Sequence, residues 1–222
     1  MRAHRQQPRR TTPTAVWDRL SVRYDRQLWL ERAAIKRLID LAAPAGTDRV
    51  LDVATGTGAV LRILTTRDPP PRQVEGVDRS SSMLARAPSL PDGWQIKRAD
   101  ATALPYPDGS FDLVTASYIL HVLDDNDRTA VLQEIRRVLR PGGRVAALTP
   151  TIPPRGPLRP IARVLDRLAI WAPDQLGGLR ALDPRAALIA TGFEVVAAQQ
   201  SARGYISICV LAQQAPSPTP RT

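Results

Sequence analysis

The sequence has 222 residues, of which 43% are hydrophobic, so it can bury one sizeable core and we expect a single domain. It has no run of the roughly 20 apolar residues that a membrane-spanning helix needs and no apolar export signal near its start, so we expect a cytoplasmic protein. The single cysteine, Cys209, excludes an internal disulfide and a cysteine-rich metal site, and we expect no bound metal. The formal net charge is +10, but the arginines are dispersed along the chain, so we do not expect a nucleic-acid partner.

The two ends of the chain differ in composition from its middle. Residues 1–13 are polar and basic, and residues 215–222 are rich in proline, serine and threonine, so both are predicted to be disordered tails. Between them, residues 14–214 form the predicted domain. Residues 14–43 are predicted to be helical, whereas residues 151–180 are interrupted by prolines, and neither segment is needed to complete a sheet. They either form a lid over the strand ends, in contact with a substrate, or cover an edge of the sheet.

The middle of the chain alternates short apolar runs with amphipathic helical patterns, which is typical of a parallel sheet covered by helices. Five strands are predicted, at Arg49–Ala54, Gln73–Val77, Trp94–Arg98, Phe111–Ser117 and Arg144–Thr149. Three helices are predicted between them, at Gly58–Thr66, Ser80–Ala87 and Asp127–Leu139. The run Pro141–Gly143 is expected to end the last of these helices.

Two further apolar runs, Phe193–Ala198 and Tyr205–Ala212, are joined by a polar loop that contains a glycine. They are predicted to pair as an antiparallel hairpin. A helix is predicted before them at Pro184–Thr191, with Asp183 as its cap. The sequence therefore predicts an α/β fold that ends in an antiparallel hairpin.

A buried strand turns directly into a helix through the small residues of Val50–Gly58. Gly56 and Gly58 would let the backbone of this turn approach a ligand closely, although such turns also use glycine for geometry alone. A dinucleotide-binding loop would have a third glycine where this chain has Leu61, which argues against NAD or FAD. Asp52, at the strand end, suits a ligand ammonium group better than a pyrophosphate, which it would repel.

Two further carboxylates follow the next two predicted strands. Asp78 ends the second strand, where an acidic side chain can accept hydrogen bonds from ribose hydroxyls. Asp100 follows the third strand, where it could accept a hydrogen bond from an adenine amino group. Each residue alone could be an ordinary polar loop residue. Because carboxyl ends of parallel strands meet at one edge of a sheet, we expect Asp52, Asp78 and Asp100 to face one shared ligand.

These motifs together resemble the class I S-adenosylmethionine-dependent methyltransferases, in particular the subgroup that includes the quinone C-methyltransferases. The resemblance rests on Val50–Gly58, Asp78, Asp100–Ala101, Leu104–Asp112 and Leu139–Gly143. It implies a Rossmann-like three-layer sandwich whose seven-stranded sheet is mostly parallel and has an antiparallel last strand, in agreement with the predicted hairpin. It also implies S-adenosyl-L-methionine as the cofactor and S-adenosyl-L-homocysteine as its product.

The resemblance also assigns residues to the parts of the cofactor. It implies that the methionine part contacts Asp52, Ala54, Gly56 and Gly58, where Ala54 replaces a glycine that is common in the family. It implies that the ribose contacts Asp78 and that the adenine contacts Asp100 and Ala101. Further cofactor contacts are predicted for Tyr24, Thr55, Arg79, Met83 and Ser117. Tyr24 either covers the cofactor, as an aromatic residue does in this subgroup, or packs as an ordinary helix residue.

The acceptor pocket is predicted beside the cofactor, at Tyr118, His121 and Trp171. Transfer to a phenol or enol needs a base, and His121 is the candidate because histidine titrates near neutrality. The alternative is that His121 packs in the core or lies next to the cofactor. Trp171 forms an apolar wall of the pocket or belongs to the core.

The sequence thus favours an enzyme that methylates a small-molecule acceptor, hydrophobic and aromatic or lipid-like, at an oxygen, nitrogen or carbon atom. One alternative is a non-catalytic binding protein with a methyltransferase fold, and an RNA methyltransferase is a further one. The exposed edge of the C-terminal hairpin is compatible with a monomer or a homodimer.

Overall fold

The computed structural model describes residues 28–153, 155, 159–164, 180–201 and 206–215. The predictions for Tyr24, for Trp171 and for both tails therefore lie outside the described residues, apart from Ala215. Most of the predicted lid at residues 151–180 also lies outside them, although residues 159–164 are helical.

Seven strands build the core of the domain. They are β1 (Arg49–Val53), β2 (Gln73–Asp78), β3 (Trp94–Arg98), β4 (Phe111–Ser117), β5 (Leu139–Pro150), β6 (Phe193–Ser201) and β7 (Ser207–Gln214). They form one sheet in the order β3-β2-β1-β4-β5-β7-β6, in which β7 is antiparallel to both of its neighbours. The predicted mostly parallel, seven-stranded α/β sheet with an antiparallel last strand is confirmed.

Five helices with defined bounds pack on this sheet. They are α1 (Leu28–Ala42), α2 (Ala59–Leu64), α3 (Ser81–Leu84), α4 (Asp125–Val138) and α5 (Arg185–Ala190). Helices α1 and α2 cover one face of the sheet, and α4 and α5 cover the other. In the part of the chain that the structure describes, none of the helices has the length and apolar character needed to cross a membrane.

The three layers follow from the alternation of side chains along the strands. On β1, Val50 packs against the α1 and α2 side, whereas Leu51 packs against the α4 side, and both are fully buried. Because both faces of this strand are covered, it is apolar almost throughout. Arg144, within β5, contacts the end of α1 by donating a hydrogen bond to the carbonyl oxygen of Ala42 at 2.8 Å.

The region around Pro141–Gly143 differs from the sequence prediction. Helix α4 begins at Asp125, because the carboxylate of Asp124 caps it by accepting a hydrogen bond from the backbone N–H of Asp127 at 2.9 Å. The helix ends at Val138, and Pro141–Gly143 lies within β5, which already begins at Leu139. The helix ends within one residue of its predicted end, but the predicted start of the next strand at Arg144 was wrong. The run Pro141–Gly143 fits within β5 because the register between β5 and β4 shifts there and because Gly142 has a left-handed backbone, with φ 77°.

The C-terminal hairpin is confirmed, and its strands extend to Ser201 and Gln214. The last strand in sequence, β7, lies between β5 and β6 and is not at the edge of the sheet. Helix α5 begins at Arg185, and its N-cap position is occupied by Pro184 rather than by the predicted Asp183. The carboxylate of Asp183 accepts a hydrogen bond from the backbone N–H of Arg185 at 3.1 Å.

Candidate functional site

A cavity of about 280 Å³ opens at the carboxyl ends of β1 to β4. This is the edge at which the strand order reverses between β1 and β4, where open α/β sheets bind their ligands. Nine residues predicted for the cofactor or acceptor line the cavity: Ala54, Gly56, Asp78, Arg79, Met83, Asp100, Ala101, Ser117 and Tyr118.

The turn between β1 and α2 forms one wall of the cavity. Ala54, Gly56 and Gly58 all have left-handed backbones, with φ values of 58°, 55° and 80°. A Cβ atom added at Gly56 would meet no atom within 4 Å, so the backbone is open to the cavity there. A Cβ atom added at Gly58 would lie 2.7 Å from Cδ of Pro88. Gly56 therefore leaves room for a ligand, whereas Gly58 permits close packing of the chain.

Asp78 connects this turn to the end of β2. Its two carboxylate oxygens accept hydrogen bonds from the backbone N–H groups of Gly56 at 2.9 Å and Ser80 at 2.8 Å. Burial raises the pKa of Asp78, and these two hydrogen bonds act in the opposite direction because they favour the carboxylate. The carboxylate is thus held in a defined orientation at the cavity wall.

Asp100 occupies the wall after β3. Its Oδ1 accepts hydrogen bonds from the backbone N–H of Thr102 at 2.9 Å and from the hydroxyl of Thr102 at 2.8 Å. Ala101 and Thr102 line the cavity beside it. Asp78 and Asp100 therefore share one cavity, as the sequence predicts.

The placement of Asp52 differs from the prediction. Asp52 is 1% exposed, does not line the cavity, and accepts a hydrogen bond from the hydroxyl of Thr115 at 2.6 Å. No hydrogen-bond partner of its Oδ2 is found among the described residues, and the same holds for the buried hydroxyls of Thr55 and Thr57. Burial raises the pKa of Asp52 to about 7. The hydrogen bond from Thr115 favours the ionised carboxylate and so lowers the pKa, but its effect is smaller than that of burial. The side chain lies inside the protein because it is on the same face of β1 as Val50, which α1 and α2 cover.

Three other predicted site residues also lie outside the cavity wall: Thr55, Gly58 and His121. His121 is 5% exposed, and its ring packs edge-on against that of Tyr118 with 6.1 Å between centroids. Burial, together with the charge of Arg128, lowers the pKa of His121 to about 3. A group with so low a pKa is a weak base near neutral pH.

Tyr118 combines two unusual features at the cavity. Its backbone is left-handed, with φ 56°, which is uncommon for a residue other than glycine. Its hydroxyl shares a 2.9 Å hydrogen bond with that of Ser207 at the start of β7. Tyr118 thereby links the cavity to the C-terminal hairpin.

Sequence reasoning missed eight residues of the wall: Val77, Ala99, Thr102, Ile119, Val122, Leu123, Asp127 and Val131. Most of them lie directly before or after a predicted site residue and could have been found by extending each motif in both directions along the chain. Asp127 and Val131 come from α4, where they lie on one helix face, and no local motif marks them as site residues.

The comparison with known proteins bears on this cavity directly. Residues 50–143 match the family described as "Methyltransferase domain". The middle of this chain, called here the methyltransferase domain, is similar to that family. It contains the β1–α2 turn, Asp78, Asp100 and α4, so the cavity is built almost entirely within it.

The relatives of the methyltransferase domain include quinone-modifying enzymes. The chain is similar to a demethylmenaquinone methyltransferase of Thermus thermophilus, with 39% identity over 133 residues, or 58% of this chain. It spans 59% of the length of that relative. The resemblance to class I methyltransferases, including the quinone C-methyltransferases, is confirmed.

Solved structures share the fold of the methyltransferase domain. Human N-acetylserotonin methyltransferase in complex with S-adenosylmethionine aligns with a TM-score of 0.66 at 18% identity, covering 92% of this chain and 57% of that chain. The [4+2]-cyclase SpnF aligns with a TM-score of 0.63 at 22% identity, covering 82% of this chain and 81% of that chain. At these identities, the likeness shows the fold alone.

Proposed function

We propose that this chain transfers a methyl group from S-adenosylmethionine to a small hydrophobic acceptor of the quinone type. The observation that carries this proposal is one cavity of the methyltransferase domain, which combines the open backbone at Gly56 with the carboxylates of Asp78 and Asp100. The name of the Thermus relative supports a quinone as the acceptor.

The cavity wall fits the chemistry of this cofactor. Asp78 and Asp100 supply acceptors for ribose hydroxyls and for an amino group, and apolar groups from Met83, Val77 and Ile119 can contact a flat base. The residues that line the cavity include three aspartates but only one arginine, Arg79. This balance of charge favours a ligand that carries positive charge. The cofactor carries such a charge on its sulfonium and ammonium groups.

The bound cofactor would supply an activated methyl group on sulfur, so the protein has to orient the two reactants and exclude water. The apolar residues Ile119, Val122 and Leu123, which follow β4, form a wall that serves this purpose. His121 lies behind that wall with a lowered pKa, and we assign it a packing role rather than that of the base. The predictions for Tyr24, Trp171, the lid, the cytoplasm and the oligomeric state still rest on the sequence alone.

The cofactor proposal is tested by titrating S-adenosylhomocysteine into the wild type and into Asp78→Ala. We expect heat of binding in the wild type and a loss of at least about tenfold in affinity in the variant, because a hydrogen bond to a charged group contributes about 1.5–3 kcal/mol. Asp92→Ala, in the exposed turn before β3, is the control. An absence of binding to the wild type would refute the proposal.

Methyl transfer itself separates an enzyme from a binding protein of the same fold. We expect label from methyl-labelled S-adenosylmethionine in demethylmenaquinone after incubation with the wild type. Binding of the cofactor without transfer to demethylmenaquinone or to a metabolite extract would instead favour a non-catalytic role. A cyclase such as SpnF shows that this fold is also found in a protein named for a different reaction.

A further inference from the structure

We propose that Asp127 is a third carboxylate of the cofactor site and that it accepts a hydrogen bond from the exocyclic amino group of the adenine. This inference rests on the proposed function and adds a residue that determines which nucleobase the site prefers. It starts from the observation that Asp127 lines the cavity, whereas Asp52 does not.

The side chain of Asp127 is free to bind a ligand. Asp127 lies half-buried in the first turn of α4, and its backbone N–H is bonded to the cap Asp124. Among the described residues, none forms a hydrogen bond or an ion pair with its carboxylate. The neighbouring Arg128 is directed elsewhere, because it donates to the carbonyl oxygens of Leu120 at 2.8 Å and Leu123 at 2.7 Å.

The other two carboxylates of the cavity are already engaged. Both oxygens of Asp78 accept backbone hydrogen bonds, and Oδ1 of Asp100 accepts two from Thr102. These hydrogen bonds orient the carboxylates of Asp78 and Asp100. They also occupy some of the lone pairs with which the two carboxylates could accept hydrogen bonds from a ligand. Asp127 retains the full acceptor capacity of its carboxylate for a ligand.

Contacts along α4 place Asp127 at the adenine end of the cavity. The backbone N–H of Leu104 donates to Glu134 at 2.7 Å, and Arg137 donates to the carbonyl oxygen of Tyr106 at 2.7 Å. The chain after β3 therefore runs alongside α4 in the same direction. Two helical turns before Glu134, Asp127 comes level with the residues that precede Leu104, which include Asp100 and Thr102.

The chemistry of a carboxylate selects an amino group over a carbonyl group. An ionised aspartate only accepts hydrogen bonds, so it suits the 6-amino group of adenine and repels the 6-oxo group of hypoxanthine. The N-terminal end of the helix dipole stabilises a negative charge at this position. Asparagine has nearly the same shape, but its amide can donate to an oxo group, which makes Asp127→Asn a sharp probe.

The test compares S-adenosylhomocysteine with S-inosylhomocysteine by calorimetry, using the wild type, Asp127→Asn and a control. We expect the wild type to prefer the adenosyl compound, and Asp127→Asn to bind it about tenfold more weakly, as for the loss of one hydrogen bond to a charged group. The same variant should bind the inosyl compound as well as the wild type does, or better. Asp125→Asn is the matched control, because Asp125 is in the same helical turn, is 96% exposed and pairs with Arg128.

The outcomes distinguish this inference from the proposed function. A wild type that binds neither compound refutes the proposed function. A wild type that binds the adenosyl compound, with Asp127→Asn giving the same preference for it, refutes only the role of Asp127. Thermal unfolding checks that the variants are folded, and Asp127→Ser, which suits a first helical turn, provides a second measure of the same contact. An equal loss of affinity for both compounds in either variant would also overturn the amino-group contact.

Discussion

The hydroxyl of Thr115 donates a 2.6 Å hydrogen bond to the carboxylate of Asp52, and the two residues are direct neighbours on β4 and β1. Asp52 is buried beneath the cavity, and its second oxygen has no protein partner among the described residues. An acidic side chain therefore lies in the interior behind the β1–α2 turn, where it affects stability more directly than it affects ligand contact.

Asp52 should make the stability of the protein depend on pH. Its pKa is about 7 in the folded state against the ordinary value of 3.8, so the folded state binds a proton that the unfolded state releases. We therefore expect the unfolding free energy of the wild type, measured relative to that of Asp52→Asn, to fall by roughly 2–4 kcal/mol as the pH rises from about 4 to about 7, and no further above that range. Urea unfolding across this pH range measures the effect. Asp52→Asn should lack this loss, Asp92→Asn should retain it, and identical profiles for all three proteins would contradict the assignment.

Gly56 and Gly142 form a matched pair for testing the open backbone of the turn. Both have left-handed backbones, and an added Cβ atom meets nothing within 4 Å at either position, but only Gly56 lines the cavity. We expect Gly56→Ala and Gly142→Ala each to lose about 0.5 kcal/mol of stability, because the strain of the left-handed backbone slightly exceeds the entropy gained by replacing glycine. Only Gly56→Ala should also weaken S-adenosylhomocysteine binding, because its methyl group enters the cavity. Calorimetry measures the affinity of both variants for S-adenosylhomocysteine. Equal affinities of the two variants would show that the cofactor does not approach Gly56.

Ala54 is under backbone strain that a glycine would relieve. Its φ of 58° costs a residue with a side chain about 1–2 kcal/mol, whereas glycine loses about 0.5–1 kcal/mol through its more flexible unfolded chain. We therefore expect Ala54→Gly to raise the free energy of unfolding by about 0.5 kcal/mol in urea titrations. Ala43→Gly, with φ 44° at the end of α1, is the control away from the cavity. A destabilised Ala54→Gly protein would mean that the methyl group of Ala54 has a packing role that outweighs the strain.

His121 should make the protein sensitive to acid without acting as a base. Its folded pKa of about 3 lies below the ordinary 6.5, so the unfolded state takes up a proton first and stability falls as the pH drops below about 6.5. We expect the unfolding free energy of His121→Leu to fall by roughly 2–3 kcal/mol less than that of the wild type between about pH 6.5 and pH 4. Turnover at neutral pH should change little, whereas removal of a general base costs about 10²–10⁴-fold. A loss of that size in kcat, with unchanged cofactor affinity, would restore the base assignment.

The sequence predicts the sheet well because its central strands contain short runs of buried apolar residues. Strands β3 and β4 have the predicted bounds, and Ser80 caps α3 by accepting a hydrogen bond from the backbone N–H of Met83. The error at Pro141–Gly143 arose because proline and glycine usually end an element, whereas here the pairing of Leu139 with Phe111 continues the strand through them. Tertiary pairing of this kind leaves no local signal.

The candidate site was predicted less completely, for reasons of geometry. Asp78 and Asp100 could be placed because each follows a strand end at the correct edge of the sheet. Asp52 stands one residue within β1, on the face that α1 and α2 cover, so its side chain is buried under these helices and does not line the cavity. Asp127 could not be placed without knowing that α4 lies alongside the chain that follows β3, a contact between residues about 30 positions apart.

The position of β7 has a consequence for how the chain is made. This strand is synthesised after the other six, yet it occupies an interior position, so the edge of β5 lacks its neighbour until residues 207–214 have left the ribosome. Until then, β5 presents unpaired backbone groups that could join a strand of another nascent chain. Completion of the sheet is thus a late, nearly all-or-none step, and premature termination within these residues would leave β6 without a partner as well.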